Sequence, residues 1–417
     1  MSKKIKVLTL SDHPFSPSGV GTQTRYMLEG LLETGEFSFI CLGGAIKHKD
    51  YNPQKLEKWG DDLVVYPVDG YGTQDSIRSI IRTEKPDMLW FMTDPRFFPW
   101  LWEIEDEIRS LIPMVYYHVW DNYPFPRFNK VWYDSTDVIA AISKVTFDIV
   151  KNVSPDTEVQ YLPHSVNSNI FKPITPDQRK KIRESSGFDE DKFVVFWNNR
   201  NARRKQPGTL LFWFKEFLDR VGHDKATLLM HTDPLDQNGP NLHAILQEIG
   251  LTSGQVKFSV NKLDSEHMAA LYCMSDVTVN ISDAEGFGLS TLESLFCGTP
   301  IIVNMTGGLQ EQVTDGEEWF GIGIEPSSKA VIGSQDIPFI YEDRLNKEDF
   351  VSSLEKMYNM TKEERRELGK KGSEYVNKNY NFNKYVTSWR SLLKDVHERY
   401  GCWESRKNYK TWSLLEV

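Results

Sequence analysis

Two stretches of this sequence carry residue types that suit an anionic, hydroxyl-rich ligand. The first is Ser282-Asp-Ala-Glu-Gly-Phe-Gly-Leu-Ser-Thr-Leu-Glu-Ser-Leu-Phe-Cys-Gly-Thr-Pro300. An apolar run ending near Ile281 reads as a strand, Gly286 and Gly288 as a turn, and a helix opens near Leu289. Glycines there let backbone amides approach a ligand closely, and the free N–H groups of a first helical turn favour an anion. A diphosphate fits that description. Glu285 precedes the turn and Glu293 lies eight residues later; carboxylates so placed accept hydrogen bonds from sugar or ribose hydroxyls. A plain strand–helix joint would show the same two glycines, so the glycines alone do not decide. The second stretch is Trp197-Asn-Asn-Arg-Asn-Ala-Arg-Arg-Lys-Gln-Pro207, again just past an apolar run. Arg200 and Lys205 stand five apart with no acidic neighbour in sequence, and cations at a strand end can neutralise a departing diphosphate. Arg203 and Arg204 read as solvated surface charges.

Such residues need strand ends to hold them, and the chain offers these at regular intervals. Apolar runs at 6–10, 37–42, 63–66, 88–92, 114–118, 138–142 and 159–162 alternate with helical patterns, the first at 22–33. The rhythm restarts after Pro173, with runs at 193–197, 226–231, 256–260, 277–281 and 300–303. Helical segments fall at 208–221, 242–250, 265–274 and 289–297. Short apolar strands separated by helices imply parallel sheets with crossover connections. The polar, proline-bounded stretch 162–173 reads as a linker, and from about Asp343 onward the chain is helical and charged. The predicted architecture is α/β: two doubly wound, Rossmann-like domains, 1–170 and 174–380, followed by a helical segment, 381–417. Ligands of such sheets sit beyond the carboxyl ends of the strands, so both domains would face one central cleft.

Composition narrows the field. The 417 residues are 40% hydrophobic and 26% charged, a globular balance for about two domains. No apolar run approaches the roughly 20 residues of a membrane helix, and the basic N-terminus turns directly into a strand without a cleavable apolar region. Cys41, Cys273, Cys297 and Cys402 are scattered, which suggests neither a disulfide framework nor a zinc site and fits a reducing, cytoplasmic setting. The net charge of −10 is spread over both halves: 17 basic against 23 acidic residues in 1–170, and 32 against 36 in the rest. A bulk field of that sign disfavours polyanionic partners.

Together the motifs resemble the family-4 retaining glycosyltransferases of the GT-B fold. Glu285-Gly-Phe-Gly-Leu-Ser-Thr-Leu-Glu293 is similar to that family's E-x7-E signature, and Cys297-Gly-Thr-Pro-Ile-Ile-Val303 and Gly307-Gly-Leu-Gln-Glu311-Gln-Val to its continuation. Arg200 and Lys205 match its basic donor-phosphate pair. The resemblance implies that Glu285 contacts the transferred sugar and Glu293 the donor ribose. Arg200 and Lys205 would hold the diphosphate, assisted by the amides of Gly286, Phe287, Gly288 and Leu289. It also implies a nucleotide-diphosphate sugar as donor substrate, with no other cofactor and no metal. In the first domain, Ser16-Pro-Ser-Gly-Val-Gly-Thr22 resembles the family's glycine-rich loop, with Gly19 and Gly21 approaching donor or acceptor, although Val20 separates glycines that the family often has adjacent. His118 matches its cleft histidine, which Asp121 would orient. The segment 380–389 resembles its last helix, which crosses back onto the first domain.

The family does not account for an aromatic cluster: Trp90, Phe97, Phe98, Trp100, Trp102, Trp120, Tyr123, Phe125, Phe128, Trp132 and Tyr133. Half of these are expected in the core, while Phe97, Phe98, Trp120, Tyr123 and Phe125 could form a stacking platform for an acceptor. The leading expectation is a retaining sugar transferase acting on a hydroxyl acceptor, a glycan or glycolipid. The alternatives are a transferase acting on a hydroxylated DNA base, a sugar-nucleotide epimerase, and a non-catalytic nucleotide-sugar-binding protein.

Overall fold

The computed structural model describes residues 3–410, which divide into two compact units. One comprises residues 3–164, 334–338 and 383–410, the other residues 165–333 and 339–382.

The first unit is built on an eight-stranded sheet. Its strands are β1 (Ile5–Asp12), β2 (Phe37–Gly44), β3 (Gln54–Lys55), β4 (Leu63–Pro67), β5 (Met88–Thr93), β6 (Met114–His118), β7 (Val138–Ala141) and β8 (Glu158–Tyr161), in the order β3-β4-β2-β1-β5-β6-β7-β8. Every neighbouring pair is parallel except the two-residue β3 against β4. β5, Met-Leu-Trp-Phe-Met-Thr, is buried at every position, as a strand covered on both faces must be. The C-terminal helix, Phe382–Tyr400, covers part of this sheet. Its buried residues Tyr385, Trp389, Leu392, Leu393 and Val396 recur at helical spacing. Trp389 meets Trp90 and Tyr117 edge to face, with ring centroids 5.8 and 4.8 Å apart. Tyr385 Oη donates to the Gln23 carbonyl at 3.1 Å. The helix thus returns to the first unit, as the resemblance implies.

The second unit holds a parallel six-stranded sheet: β9 (Phe193–Asn198), β10 (Ala226–His231), β11 (Val256–Ser259), β12 (Val277–Asn280), β13 (Ile301–Asn304) and β14 (Gly321–Ile324). Their order is β11-β10-β9-β12-β13-β14, so the winding reverses between β9 and β12. A separate antiparallel pair, β15 (Ser328–Ile332) and β16 (Ile340–Arg344), completes the unit's strands among the described residues.

The strands expected from apolar runs are present, but β3, β14, β15 and β16 escape that reading. The reason is clearest for β14, Gly-Ile-Gly-Ile. A Cβ on Gly321 would lie 2.1 Å from the Ile301 carbonyl oxygen, and one on Gly323 2.5 Å from Met305 Sδ. Its neighbours leave no room for the side chains that announce a strand. The helical C-terminal region also begins later than expected: β16 runs through Arg344 and the first helix opens at Lys347.

Candidate active site of the second unit

The two stretches singled out in the sequence follow adjacent strands, β9 and β12, at the point where the winding reverses. In such sheets this crevice is the ligand site. The loop after β9 ends in a single 3-10 turn, Arg203–Lys205, before the helix Pro207–Val221. It is fastened to the loop after β12 along its length. The Asp283 amide donates to the Arg204 carbonyl at 2.9 Å, and Arg204 Nη1 donates to the Ala284 carbonyl at 2.6 Å. Gln206 Nε2 donates to Asp283 Oδ2 at 2.5 Å. The Lys205 ammonium pairs directly with the Glu285 carboxylate, with only 10% and 12% of the two side chains exposed.

That pairing sets the electrostatics. Burial acts to raise the pKa of Glu285, but the charges of Lys205 and Arg204 outweigh it and hold the group below the usual carboxylate range. Nearby Asp283 is pushed up to about 6 by burial, against the opposing influence of Gln206 and Arg344.

Gly288 adopts φ +92° and stands at the N-cap of the helix Leu289–Phe296. A side chain there is excluded twice: by that left-handed backbone, and because a Cβ would come within 2.5 Å of Leu309 Cδ2. The Phe287 and Gly288 carbonyls accept from Gln312 Nε2 at 2.7 and 3.2 Å, and Thr291 Oγ1 also donates to Gly288. No side chain caps the helix, so its first-turn amides form an electropositive end. The Phe287 ring is buried against Tyr380, which leaves its backbone as the part available to a ligand.

Glu293 lies one turn along the same helix. Tyr272 Oη donates to its Oε2 at 2.7 Å, and Asn198 Nδ2, at the end of β9, donates to Tyr272 Oη at 2.7 Å. Burial pushes the Glu293 carboxyl up to about 7, with the tyrosine bond opposing. Arg200, two-thirds exposed, forms a bidentate pair with Asp236 at 2.6 and 3.2 Å, and this holds the Asp236 carboxyl well below its usual range. Two expectations need correction. Arg203 is not a simply solvated charge, since it pairs bidentately with the buried Glu342 at 3.0 and 2.6 Å. Arg204 is a tie between loops. Asn198, Tyr272, Asp283, Gln206 and Asp236 were missed in the sequence. Tyr272 sits in an apolar helical stretch where nothing distinguishes it from core.

The expected residues of the first unit are placed less openly. Gly19 and Gly21 open the helix Gly19–Leu32, capped by Ser18, whose Oγ accepts from the Gly21 amide at 3.0 Å and donates to Asp12 Oδ2 at 2.5 Å. A Cβ on Gly21 would lie 2.3 Å from Ser16 Oγ, so the loop's own packing already demands glycine there. His118, at the end of β6, is fully buried. Its Nε2 bonds Tyr133 Oη at 2.7 Å and its Nδ1 has no hydrogen-bond partner. Burial lowers its pKa to about 3, so the ring is neutral. Tyr133, not Asp121, orients it; Asp121 is half-buried on the following loop. Of the platform aromatics, Phe98 and Trp120 are core, whereas Phe97 and Phe125 are exposed.

Residues 178–375 match the model of glycosyl transferases group 1. D-inositol 3-phosphate glycosyltransferase 2 of Catenulispora acidiphila is 29% identical over 175 residues, 39% of this chain and 40% of that protein. The GDP-mannose-dependent alpha-(1-6)-phosphatidylinositol monomannoside mannosyltransferase of Mycolicibacterium smegmatis is 28% identical over 192 residues, 44% of this chain and 48% of that one. The aligned stretches thus span less than half the length of either relative. Two solved structures superpose far more widely. Sucrose-phosphate synthase from Thermosynechococcus elongatus covers 95% of this chain and 100% of its own, at TM-score 0.76 and 16% identity. The Anabaena protein HepE in complex with UDP-glucose covers 94% and 99%, at 0.69 and 15%. The fold is therefore GT-B, and over residues 178–375 the chain is similar to the group 1 glycosyltransferases.

Proposed function

We propose that this chain is a retaining glycosyltransferase, moving a sugar from a nucleoside-diphosphate sugar to a hydroxyl acceptor. The observation that carries the reading is the Lys205–Glu285 pair, set beside an uncapped helix N-terminus at the winding reversal of the second unit. A cation already held in a nearly buried site needs little reorganisation to meet a diphosphate, and preorganised charge is the largest single contribution to many such reactions. In this reading Lys205, Arg200 and the amides of Gly286 to Leu289 hold the diphosphate and stabilise it as it leaves. Glu285 faces the transferred sugar and Glu293 accepts from ribose hydroxyls. The cations supply the positive field, so no divalent ion is assigned a role in the transfer. Retention follows from attack on the face the leaving group departs from, with a phosphate oxygen taking the acceptor's proton.

The loops after β1 and β6 of the first unit, with Gly19, Gly21 and Asp121, are assigned to the acceptor side. A buried, neutral His118 serves there as support for its loop and not as a base. HepE's complex with UDP-glucose supports a nucleotide-sugar donor. The mannosyltransferase relative, named for a phosphatidylinositol monomannoside, supports a glycolipid or glycan acceptor, and the net charge of −10 weighs against a base in DNA. The site lies in a cytoplasm-facing protein on this reading; among the described residues no helix is long and apolar enough to cross a membrane.

Calorimetry with free nucleoside diphosphate tests the proposal. Lys205→Ala should weaken binding by about 1.5–3 kcal/mol, the worth of a charge-assisted hydrogen bond. Arg200→Ala should cost less, because that side chain is two-thirds exposed. Unchanged affinity in both variants would remove the diphosphate site from this crevice.

A further inference from the structure

Far along the sequence from any of these residues, the first unit gathers three metal-ligating side chains. Asp87 immediately precedes β5, His397 lies in the last turn of the C-terminal helix, and Cys402 follows that helix. One ligand atom from each lies within 4.8 Å of the other two. Asp87 is 3% exposed and Cys402 8% exposed. His397 is half-buried. Asp87 Oδ2 accepts from the Lys6 amide at 2.8 Å, while Oδ1 has no hydrogen-bond partner among the described residues. Cys402 Sγ has one contact, to Ser405 Oγ at 3.5 Å, and neither ring nitrogen of His397 is engaged. The nearby Lys3 ammonium pairs with Glu404 at 3.2 Å, and its charge also acts on Asp87 and Cys402.

The Asp87 carboxylate, with one oxygen bonded to the Lys6 amide, keeps its other oxygen for a further partner. A thiol and an unengaged imidazole at the same point are the donors of a borderline-soft metal ion. We propose that Asp87, His397 and Cys402 bind Zn2+, with a water in the fourth position and the Cys402 proton released on binding. Around tetrahedral Zn2+, with bonds of about 2.0–2.3 Å, ligand atoms stand roughly 3.3–3.8 Å apart, so from separations within 4.8 Å the three groups need to draw in by at most about 1–1.5 Å. Positions 87, 397 and 402 carry no local spacing motif, so the scattered cysteines concealed the site from the sequence. The ion clips the end of the C-terminal helix to the start of β5. Its role is structural and independent of the glycosyltransferase reading.

The test titrates the metal-free full chain with Co2+ and follows absorption. The expected result is saturation near one equivalent, with a thiolate-to-cobalt charge-transfer band in the near ultraviolet and the visible bands of a tetrahedral site. Zn2+ should displace the cobalt and raise Tm. Cys402→Ser should lose the charge-transfer band, and His397→Ala the tetrahedral visible bands, with neither variant's Tm answering to Zn2+; circular dichroism checks that both fold. Asp87→Asn keeps an oxygen for the Lys6 amide and should weaken metal binding at least about tenfold. No charge-transfer band in the wild-type protein, or the same band in Cys402→Ser, overturns the proposal.

Discussion

The two glutamates of the E-x7-E motif differ in their surroundings, and this separates their expected kinetics. Glu293 is oriented by Tyr272 and is read as holding ribose, a contact common to ground and transition states. Glu285 is held against Lys205 and is read as facing the centre where charge develops. Uniform binding appears in KM and transition-state contacts in kcat. Glu293→Gln should therefore raise the donor KM about 5–10-fold, from the loss of about 1–1.5 kcal/mol of hydrogen bonding, with a smaller fall in kcat. Glu285→Gln should lower kcat while affecting free nucleoside diphosphate less. If Glu285→Gln abolishes nucleotide binding and Glu293→Gln leaves it intact, the roles are reversed. The titration of Glu293 gives a second signature. Its carboxyl is raised to about 7 in the folded protein, so its contribution to stability is fully present below its ordinary range and lost as pH rises towards 7 and beyond. Ribose hydroxyls favour the ionised form, so nucleotide affinity should climb as pH rises through about 7. Calorimetry from pH 6 to 8 should show that climb in the wild type and a flat profile in Glu293→Gln.

At the scale of the elements, the strands and helices carrying Lys205, Glu285 and Glu293 were legible because a buried parallel strand is an unbroken apolar run, and the helix after β12 opens at a glycine while that after β9 opens at a proline. What pins those loops together was not legible. Arg204 to Ala284 and Gln206 to Asp283 join residues about 80 apart, and no local pattern marks such a pair. Tyr272 was hidden for a related reason: its ring is core-like, and only its hydroxyl reaches Glu293. His118 was found by resemblance, but its burial depends on Tyr133, fifteen residues away, and that contact is set by packing. The Gly288 turn gives the clearest test at this scale. Gly288→Ala places a Cβ at φ +92° against Leu309, and a strained left-handed residue alone costs about 1–3 kcal/mol. Denaturant unfolding should show that loss, accompanied by weaker nucleotide binding as the amides of the helix turn away.

Taken as a whole, the molecule joins one unit made from distant parts of the chain to another made almost continuously. Trp389 is fully buried between Trp90 and Tyr117 and ties the C-terminal helix to the first sheet. Removing a buried indole typically costs about 3–5 kcal/mol. Trp389→Ala should therefore lower the melting transition of the first unit, while scanning calorimetry with nucleoside diphosphate still shows stabilisation of the second. The discontinuity also orders events during synthesis. The first unit's sheet is complete by Tyr161, yet the helix that covers it begins at Phe382. At about 5–20 residues per second, translation leaves that apolar face waiting for roughly 10–40 seconds. Over that interval the nascent first unit is the one that a ribosome-associated chaperone would have to shield.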